Sequence, residues 1–218
     1  MQPIMTQIQH LIGKEWIQLF QARQKDLKLN KNLDLQFSRF LSLIEEQQKN
    51  KLVLREQGYG KLSCKAIGRI LKDNTTLVTL DLSMNNLNLG LDYLIAGLRQ
   101  NETIVCLKLR NNNIDGRKFQ KQLFTLVHEH PSLTALDIGN SENIKNRNRI
   151  YDEGLQALVD GMTSSKSGVC LISELHLQSA CISGEGLQVL SQLSKTKIDL
   201  QILDLAFNDL GNEAAYHL

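Results

Sequence analysis

The stretch LVTLDLSMNNLNLGLDYLIAGLRQNET, residues 77–103, decides the fold of this chain. Leu80 and Leu82 alternate as residues of a strand do, while Leu94 and Leu98 lie on one face of a helix. The stretch is therefore interpreted as one short strand, a turn and one helix. Neither element can bury its apolar side alone, so the unit needs neighbouring units of the same kind.

The same spacing recurs along the chain. The triplets are Leu77/Leu80/Leu82, Ile104/Leu107/Leu109, Leu133/Leu136/Ile138, Ile172/Leu175/Leu177 and Leu200/Leu203/Leu205, after a truncated first copy at Leu52/Leu54. Their central positions are 28, 27, 29, 39 and 28 residues apart, and a period near 28 is typical of a repeat architecture. We therefore predict an α/β solenoid, a right-handed horseshoe with parallel strands on its concave face and helices on its convex face.

An asparagine follows several strands at a fixed distance. Asn85, Asn112 and Asn208 each lie five residues after the central leucine of their repeat. An inward-pointing amide there can bond backbone groups of its own turn and of the next repeat. The other copies have Gln57, Ser141 and Ala180 at this position, and we expect those copies to be looser.

The tail LDLAFNDLGNEAAYHL and the copies at Leu77 and Leu133 resemble the ribonuclease-inhibitor class of leucine-rich repeats, which also forms the sensor portions of NOD-like receptors. The resemblance covers residues 51–218. It implies the solenoid fold with a full helix on the convex side of each repeat. Ribonuclease inhibition would require more copies and more cysteines than this chain has, so the resemblance is carried over for the fold alone.

Residues 1–50 do not follow the repeat and are predicted to form a helical N-terminal cap, with about six repeats in residues 51–218 and the last repeat incomplete. Two apolar stripes favour a helical hairpin in this segment. They are Ile8, Leu11, Ile12, Trp16, Leu19 and Phe20, then Phe37, Phe40, Leu41 and Ile44. A cap would cover the open edge of the first strand, and a signalling head with its own partner is the alternative.

At the other end Leu218 falls inside the expected last helix, so we expect either that the native chain continues or that another chain, including a second copy, covers this edge.

The composition argues against several classes of partner. The net charge is +2, and the repeats hold eighteen basic and eighteen acidic side chains, so nucleic acid is not expected as the main partner. Met1 to Ile12 lacks the features of a signal peptide, and no stretch has membrane-spanning length, so no membrane partner is expected. Four cysteines without paired spacing favour free thiols in a reducing, cytoplasmic location.

We find no motif for catalysis, a metal or a cofactor. Gly58-Tyr59-Gly60-Lys61 lacks the residues that a phosphate-binding loop needs at both ends. His128 and His130 are too close along the chain to present a zinc pair on one helical face. Cys106 is expected to face the concave side as an apolar bystander. We therefore expect no enzyme and no cofactor.

The remaining surface is the concave face, where residues next to the core leucines form stripes across the strands. The predicted contact residues are Arg55, Thr79, Asp81, Ser83, Lys108, Arg110, Asp137, Glu174, His176, Gln178 and Asp204. Arg55 and Arg110 would make the N-terminal half basic, while Asp204 would leave the C-terminal half acidic. Such a gradient could steer and orient a protein partner.

An insertion of about ten residues breaks the period between Ile138 and Ile172, mostly in GNSENIKNRNRIYDEG. Insertions in repeat arrays lie in loops at the rim. We call residues 141–151 the rim loop; it carries Lys145, Arg147, Arg149 and Tyr151. The loop is predicted either to touch an acidic partner or simply to be solvated.

Three hypotheses for function follow. The first is a non-enzymatic protein–protein interaction module that binds a protein through the concave face and the rim loop. The second is a bacterial effector that engages a host protein in the host cytosol, suggested by the usage of Gln, Asn, Lys and Ile. The third is a structural subunit of a cytoskeletal or ciliary assembly that self-associates through its open C-terminal edge.

Overall fold

Six short strands pair in parallel, in chain order, to form one open sheet along the part of the chain that the structure describes. The structure is a computed structural model and describes residues 14–29, 33–45, 50–141 and 145–211. The strands are β1 (Lys51–Val53), β2 (Thr79–Asp81), β3 (Cys106–Lys108), β4 (Ala135–Asp137), β5 (Glu174–His176) and β6 (Ile202–Asp204). The helices are α1 (Lys14–Asp26), α2 (Leu33–Glu45), α3 (Lys61–Asp73), α4 (Leu91–Leu98), α5 (Gln120–Glu129), α6 (Tyr151–Thr163) and α7 (Gly184–Ser191), with 3₁₀ turns at Asn88–Gly90 and Gln192–Lys195.

The register of the sheet follows the leucine spacing. Leu52, Leu80, Leu107, Leu136, Leu175 and Leu203 are paired, strand to strand, across the whole sheet. The first five are at most 4% exposed and belong to one elongated core. The predicted α/β repeat solenoid is confirmed. No helix in the described ranges is long and apolar enough to cross a membrane.

The helices α3 and α4 pack closely at two glycine positions. A Cβ atom added to Gly97 of α4 would lie 2.2 Å from the carbonyl oxygen of Gly68 in α3. A Cβ added to Gly68 would lie 2.3 Å from the oxygen of Tyr93. Both helices therefore need a residue without a side chain at this contact. The helix spacing on the convex side is set by backbone contact at these positions.

Within residues 1–50, α1 packs against the first repeat helix. Phe20 packs against Phe37 and Phe40 of α2, with ring centroids 4.9 and 5.5 Å apart. Asp26 at the end of α1 accepts hydrogen bonds from the N–H groups of Gly60, Leu62 and Ser63 at the start of α3. These donors have no partner inside their own helix. The aspartate therefore caps the N-terminus of α3 from outside the repeats.

Two predictions lie outside the described residues. The N-terminal half of the first apolar stripe, from Ile8 to Ile12, is one of them. The helix expected after Gly211, with the C-terminal edge near Leu218, is the other. The role of residues 1–50 and self-association through the C-terminal edge stay predictions.

Buried asparagines hold the turns after the strands. The Oδ1 atom of Asn85 accepts hydrogen bonds from the N–H groups of Gln57 and Tyr59, both at 3.0 Å, and its Nδ2 donates to the carbonyls of Leu54 and Leu82. Asn208, in the sixth repeat, makes the same set of contacts with the fifth repeat. The predicted amide role is therefore present at both positions.

In the fourth repeat Asn148 has this role. The five-residue offset assigns the position to Ser141, and that assignment was wrong. Asn148 accepts from the N–H groups of Asn112 and Ile114 at 2.9 and 3.0 Å, and donates to the carbonyls of Leu109 and Ile138. Residues 141–147 are thus inserted before the asparagine instead of after it. The fourth repeat keeps its buried amide, so its turn is not looser on that account.

A second row of side chains closes the turns after the helices. Asn101 is 1% exposed; its Oδ1 accepts from the N–H groups of Thr103 and Ile104, and its Nδ2 donates to Leu71 and Asn74. His130 takes the matching place one repeat later, where its Nδ1 accepts from the Ser132 N–H at 3.4 Å. His130 is 7% exposed, and burial lowers its pKa from 6.5 to about 4.

This burial predicts an acid-sensitive fold. Below pH 6.5 the unfolded chain binds a proton at His130 that the folded chain does not bind, so stability is complete above pH 6.5 and falls as the pH drops towards 4. The His130 contribution to that loss is at most about 3 kcal/mol. His130→Asn, which supplies the residue used in the preceding repeat, should flatten this part of the pH profile in urea denaturation. His128→Asn is the control, and an unchanged slope in His130→Asn would contradict the assignment.

Candidate functional site

The concave face carries the side chains that flank the core leucines. The strand register aligns Thr79, Cys106, Ala135 and Glu174 in one stripe. It aligns Asp81, Lys108, Asp137, His176 and Asp204 in the next. The stripes that the leucine spacing predicts are therefore the stripes that the sheet forms.

A cavity of about 330 Å³ lies over the middle of this face. Its lining residues are Arg55, Cys106, Lys108, Arg110, Ala135, Leu136, Asp137, Ser141, Glu174 and His176. Cys106 and Ala135 form its apolar lining, and charged groups form most of the rest. Ser141 brings the start of the rim loop to the same cavity.

The two arginines are paired within the protein. Arg55 Nε lies 2.8 Å from Asp81 Oδ2. Arg110 Nε lies 2.5 Å from Asp137 Oδ2, and its Nη1 donates to Gln178 Oε1 at 3.0 Å. These pairs neutralise the basic half that the sequence predicts, so the expected charge gradient is weaker. Arg110 in particular ties three neighbouring strand ends together.

Lys108 differs from both arginines. It lies between Asp81 and Asp137 in the register and lines the cavity. Its side chain is partly exposed, and its ammonium group makes no ion pair or hydrogen bond with the described residues. An ammonium group without a partner at a cavity wall is available to a carboxylate or carbonyl of a bound molecule.

Three of the predicted contact residues support the fold instead. Asp81 is 5% exposed, and its Oδ1 accepts from the Ser83 N–H at 3.0 Å. Ser83 is 1% exposed, so a partner on the concave face cannot reach its hydroxyl. Sequence spacing finds residues on the correct face but does not show how deep they lie. Asp137 is 8% exposed and pairs with Arg110. Asp81, Ser83 and Asp137 therefore leave the set of contact residues.

The C-terminal part of the face is acidic, as predicted. The His176 Nε2 atom lies 4.0 Å from Glu174 Oε2, and its Nδ1 atom lies 3.8 Å from Asp204 Oδ2. Asp204 Oδ1 also accepts from the Ala206 N–H, so part of this carboxylate supports its own turn. Glu174, His176, Gln178 and Thr79 are partly exposed and stay in the predicted contact set.

Cys106 is the thiol on this face and is half-buried. Burial raises its pKa, while the nearby ammonium of Lys108 lowers it by a smaller amount. A thiol with a raised pKa is a poor nucleophile at neutral pH. The described residues also contain no cluster of three or more His, Cys, Asp or Glu side chains that could hold a metal ion.

The rim loop is fastened to its surroundings at the residues that the structure describes. Lys145, Arg147 and Arg149 are exposed. Tyr151 is the first residue of α6 and not part of the exposed loop, because its ring lies under the guanidinium of Arg117 at 3.9 Å. Arg117 also pairs with Glu153 at 2.9 Å. Tyr151 therefore belongs to the convex side, and the predicted rim contact narrows to the three basic residues.

Comparisons with known proteins agree with this geometry. A family model described as Leucine Rich repeat matches residues 73–89, 170–191 and 197–218. A ribonuclease inhibitor of Mus musculus is 29% identical over 167 residues, which is 76% of this chain and 34% of that protein. The chain thus spans about a third of the length of the curated relative it matches.

Proposed function

Because this chain is a leucine-rich-repeat protein of the ribonuclease-inhibitor-like class, we propose that it is a non-enzymatic module that binds a protein partner on its concave face. The coarse class, a protein-binding repeat, comes with the family. The choice of face rests on a single observation. The ammonium group of Lys108 lies at the wall of a cavity on that face and has no ion pair or hydrogen bond among the described residues.

The cavity would receive one side chain of the partner. Its volume of about 330 Å³ is at the lower end of the range for small-molecule sites, and its charged lining is unlike the apolar lining of such sites. A partner carboxylate would pair with Lys108, while the apolar part of the same side chain would contact Ala135. Glu174 and His176 would face the adjacent, more basic part of the partner.

Lys108→Gln tests this proposal because it removes the charge and keeps most of the side-chain length. We expect at least about tenfold weaker capture of the partner from a cell extract, since a charge-assisted bond is worth about 1.5–3 kcal/mol. Lys121→Gln on α5 is the matched control, because Lys121 is an exposed lysine on the convex side. Equal capture by wild type and Lys108→Gln would reject the concave face.

Arg110 is a poor choice for such a test. Its guanidinium is bonded to both Asp137 and Gln178, so a change there alters stability as well as binding. The effect on capture could not then be assigned to the partner. Lys108 has no such contacts with the described residues, and its replacement should leave the unfolding midpoint close to wild type.

We further propose a cytoplasmic location, or the host cytosol if the protein is a secreted effector. The effector and the assembly-subunit hypotheses also have a protein as the ligand. In the first the ligand is a host protein, and in the second it is another subunit of the assembly.

A further inference from the structure

The rim loop differs from an ordinary insertion in how its ends are joined. The Asn148 N–H donates to Asn140 Oδ1 at 2.6 Å, and Asn140 Nδ2 donates to the Asn148 carbonyl at 2.8 Å. Asn140 Nδ2 also donates to the Ser179 carbonyl of the next repeat at 2.8 Å. All these groups are buried. The two asparagines therefore close the inserted segment at its base.

The loop is also bonded to the two repeats before it. Asn146 Nδ2 donates to the carbonyl of Asn85 at 3.1 Å, and the Asn146 carbonyl accepts from the Asn113 N–H at 2.7 Å. The Ser141 N–H donates to Asn111 Oδ1 at 2.9 Å. The described part of the loop thus lies across the rim, in contact with the second and third repeats.

Its three basic side chains are exposed, while the backbone beside them is bonded to neighbouring repeats. Arg149 forms a parallel bridge with Asp115, in which its N–H donates to Ile114 and its carbonyl accepts from Gly116, each at 2.7 Å. The Arg147 guanidinium makes one long bond, 3.3 Å, to the Ser179 carbonyl. Lys145, Arg147 and Arg149 form no ion pair with a carboxylate of the described residues.

Two further basic residues lie beside Arg149. Arg117 and Lys118 follow Gly116 directly and are exposed. Arg117 pairs with Glu153, and Lys118 lies 3.9 Å from Asp115. Both pairs are exposed, so they hold their partners weakly. We define the basic ridge as Lys118, Lys145, Arg147 and Arg149, and leave out Arg117 because its guanidinium lies on the Tyr151 ring and pairs with Glu153.

We propose that the basic ridge is a preformed docking surface for an acidic segment of a protein partner. The inference rests on the proposed protein-binding function and adds the charge of the partner and a second contact surface. Four basic side chains against Asp115 leave an excess of positive charge among the described residues. The buried side chain of Asn140 and the backbone of Asn148 already fix the backbone of the rim loop. Binding therefore costs little conformational entropy for ordering this backbone. An extended acidic segment can pair with several of these exposed cations in succession.

The test is fluorescence anisotropy with a short fluorescein-labelled peptide of alternating glutamate and serine, at low ionic strength. Arg147→Glu with Arg149→Glu should weaken binding at least about tenfold. Arg69→Glu with Lys72→Glu on α3 is the matched control, because it makes the same change in net charge at exposed residues; we expect less than about a twofold effect there. Asn146→Ala keeps every charge and releases one fastening bond, and should weaken binding about threefold.

Three results would overturn the inference. One is the absence of binding by the wild-type protein, and another is an equal loss in both charge-reversed pairs. The third is tighter, ridge-dependent binding of a fluorescein-labelled thymidine oligonucleotide, which would assign the ridge to nucleic acid. Lys108→Gln should bind the peptide as wild type does. A failure of the concave-face proposal would therefore appear only in partner capture and not in this assay.

Discussion

Asn148→Ala is expected to lower the free energy of unfolding by about 4 kcal/mol or more. The side chain is fully buried and satisfies the N–H groups of Asn112 and Ile114 and the carbonyls of Leu109 and Ile138. Alanine would leave these backbone groups without a partner, at a cost of about 1–3 kcal/mol for each buried group that water cannot reach. Urea denaturation followed by circular dichroism measures the change.

Two variants make this prediction specific. Asn86→Ala alters an exposed neighbour of Asn85 and should change stability by less than about 0.5 kcal/mol. Ser141→Asn restores the asparagine where the fixed five-residue offset places it. If Asn148 holds the turn, Ser141→Asn has no stabilising effect. A stable Asn148→Ala protein together with a stabilised Ser141→Asn protein would show that the turn is held at Ser141.

Gly97→Ala should be the second most damaging substitution, with a loss of about 2–4 kcal/mol or no folded protein. The new methyl group would lie 2.2 Å from the Gly68 carbonyl oxygen and 2.5 Å from its Cα. These are backbone atoms that cannot rotate away, so α3 and α4 would have to separate. The gain in helix propensity, about 1 kcal/mol, is smaller than this cost.

Ala96→Gly is the control for Gly97→Ala. Ala96 is the exposed neighbour of Gly97 in α4, and its replacement reports the helix propensity alone, about 1 kcal/mol. Thermal or urea unfolding of both variants separates the two effects. A Gly97→Ala protein at least as stable as wild type would show that α3 and α4 are not in backbone contact at this position.

Much of the fold can be predicted from the sequence because the repeat is local. Each strand takes its register from its leucines, and a two-residue period fixes which side chains point to the concave face. Thr79, Lys108 and Glu174 therefore lie on the predicted face. The same reasoning does not show how deeply a side chain is buried, so it places Asp81, Ser83 and Asp137 among the contact residues although all three are buried.

The position of the insertion could not be predicted from a fixed offset. A count of five residues after Leu136 ends at Ser141, whereas the structure uses Asn148. A signal was present in the sequence, since Asn148 and Ile150 repeat the pattern of Asn85 and Leu87, an asparagine two residues before a buried aliphatic side chain. The spacing of that pair, and not the distance from the strand, identifies the residue that holds the turn.

The ion pairs of the arginines could not be predicted either. Arg110 reaches Asp137 on the next strand end and Gln178 on the one after. Such contacts depend on rotamers and on the twist of the sheet, which the leucine pattern does not specify. The structure therefore moves the candidate site from the arginines to Lys108 and the cavity it lines.

Hydrogen–deuterium exchange of the free protein and of its complex with the captured partner tests the central claim most directly. The account predicts that the partner slows exchange in peptides covering residues 105–110 and 134–139, with further protection in residues 145–149 if the basic ridge takes part. Peptides from α4 and α5 on the convex side should exchange at the same rate in both samples. Protection confined to those helices, with unchanged exchange in β3 and β4, would contradict binding through the concave face.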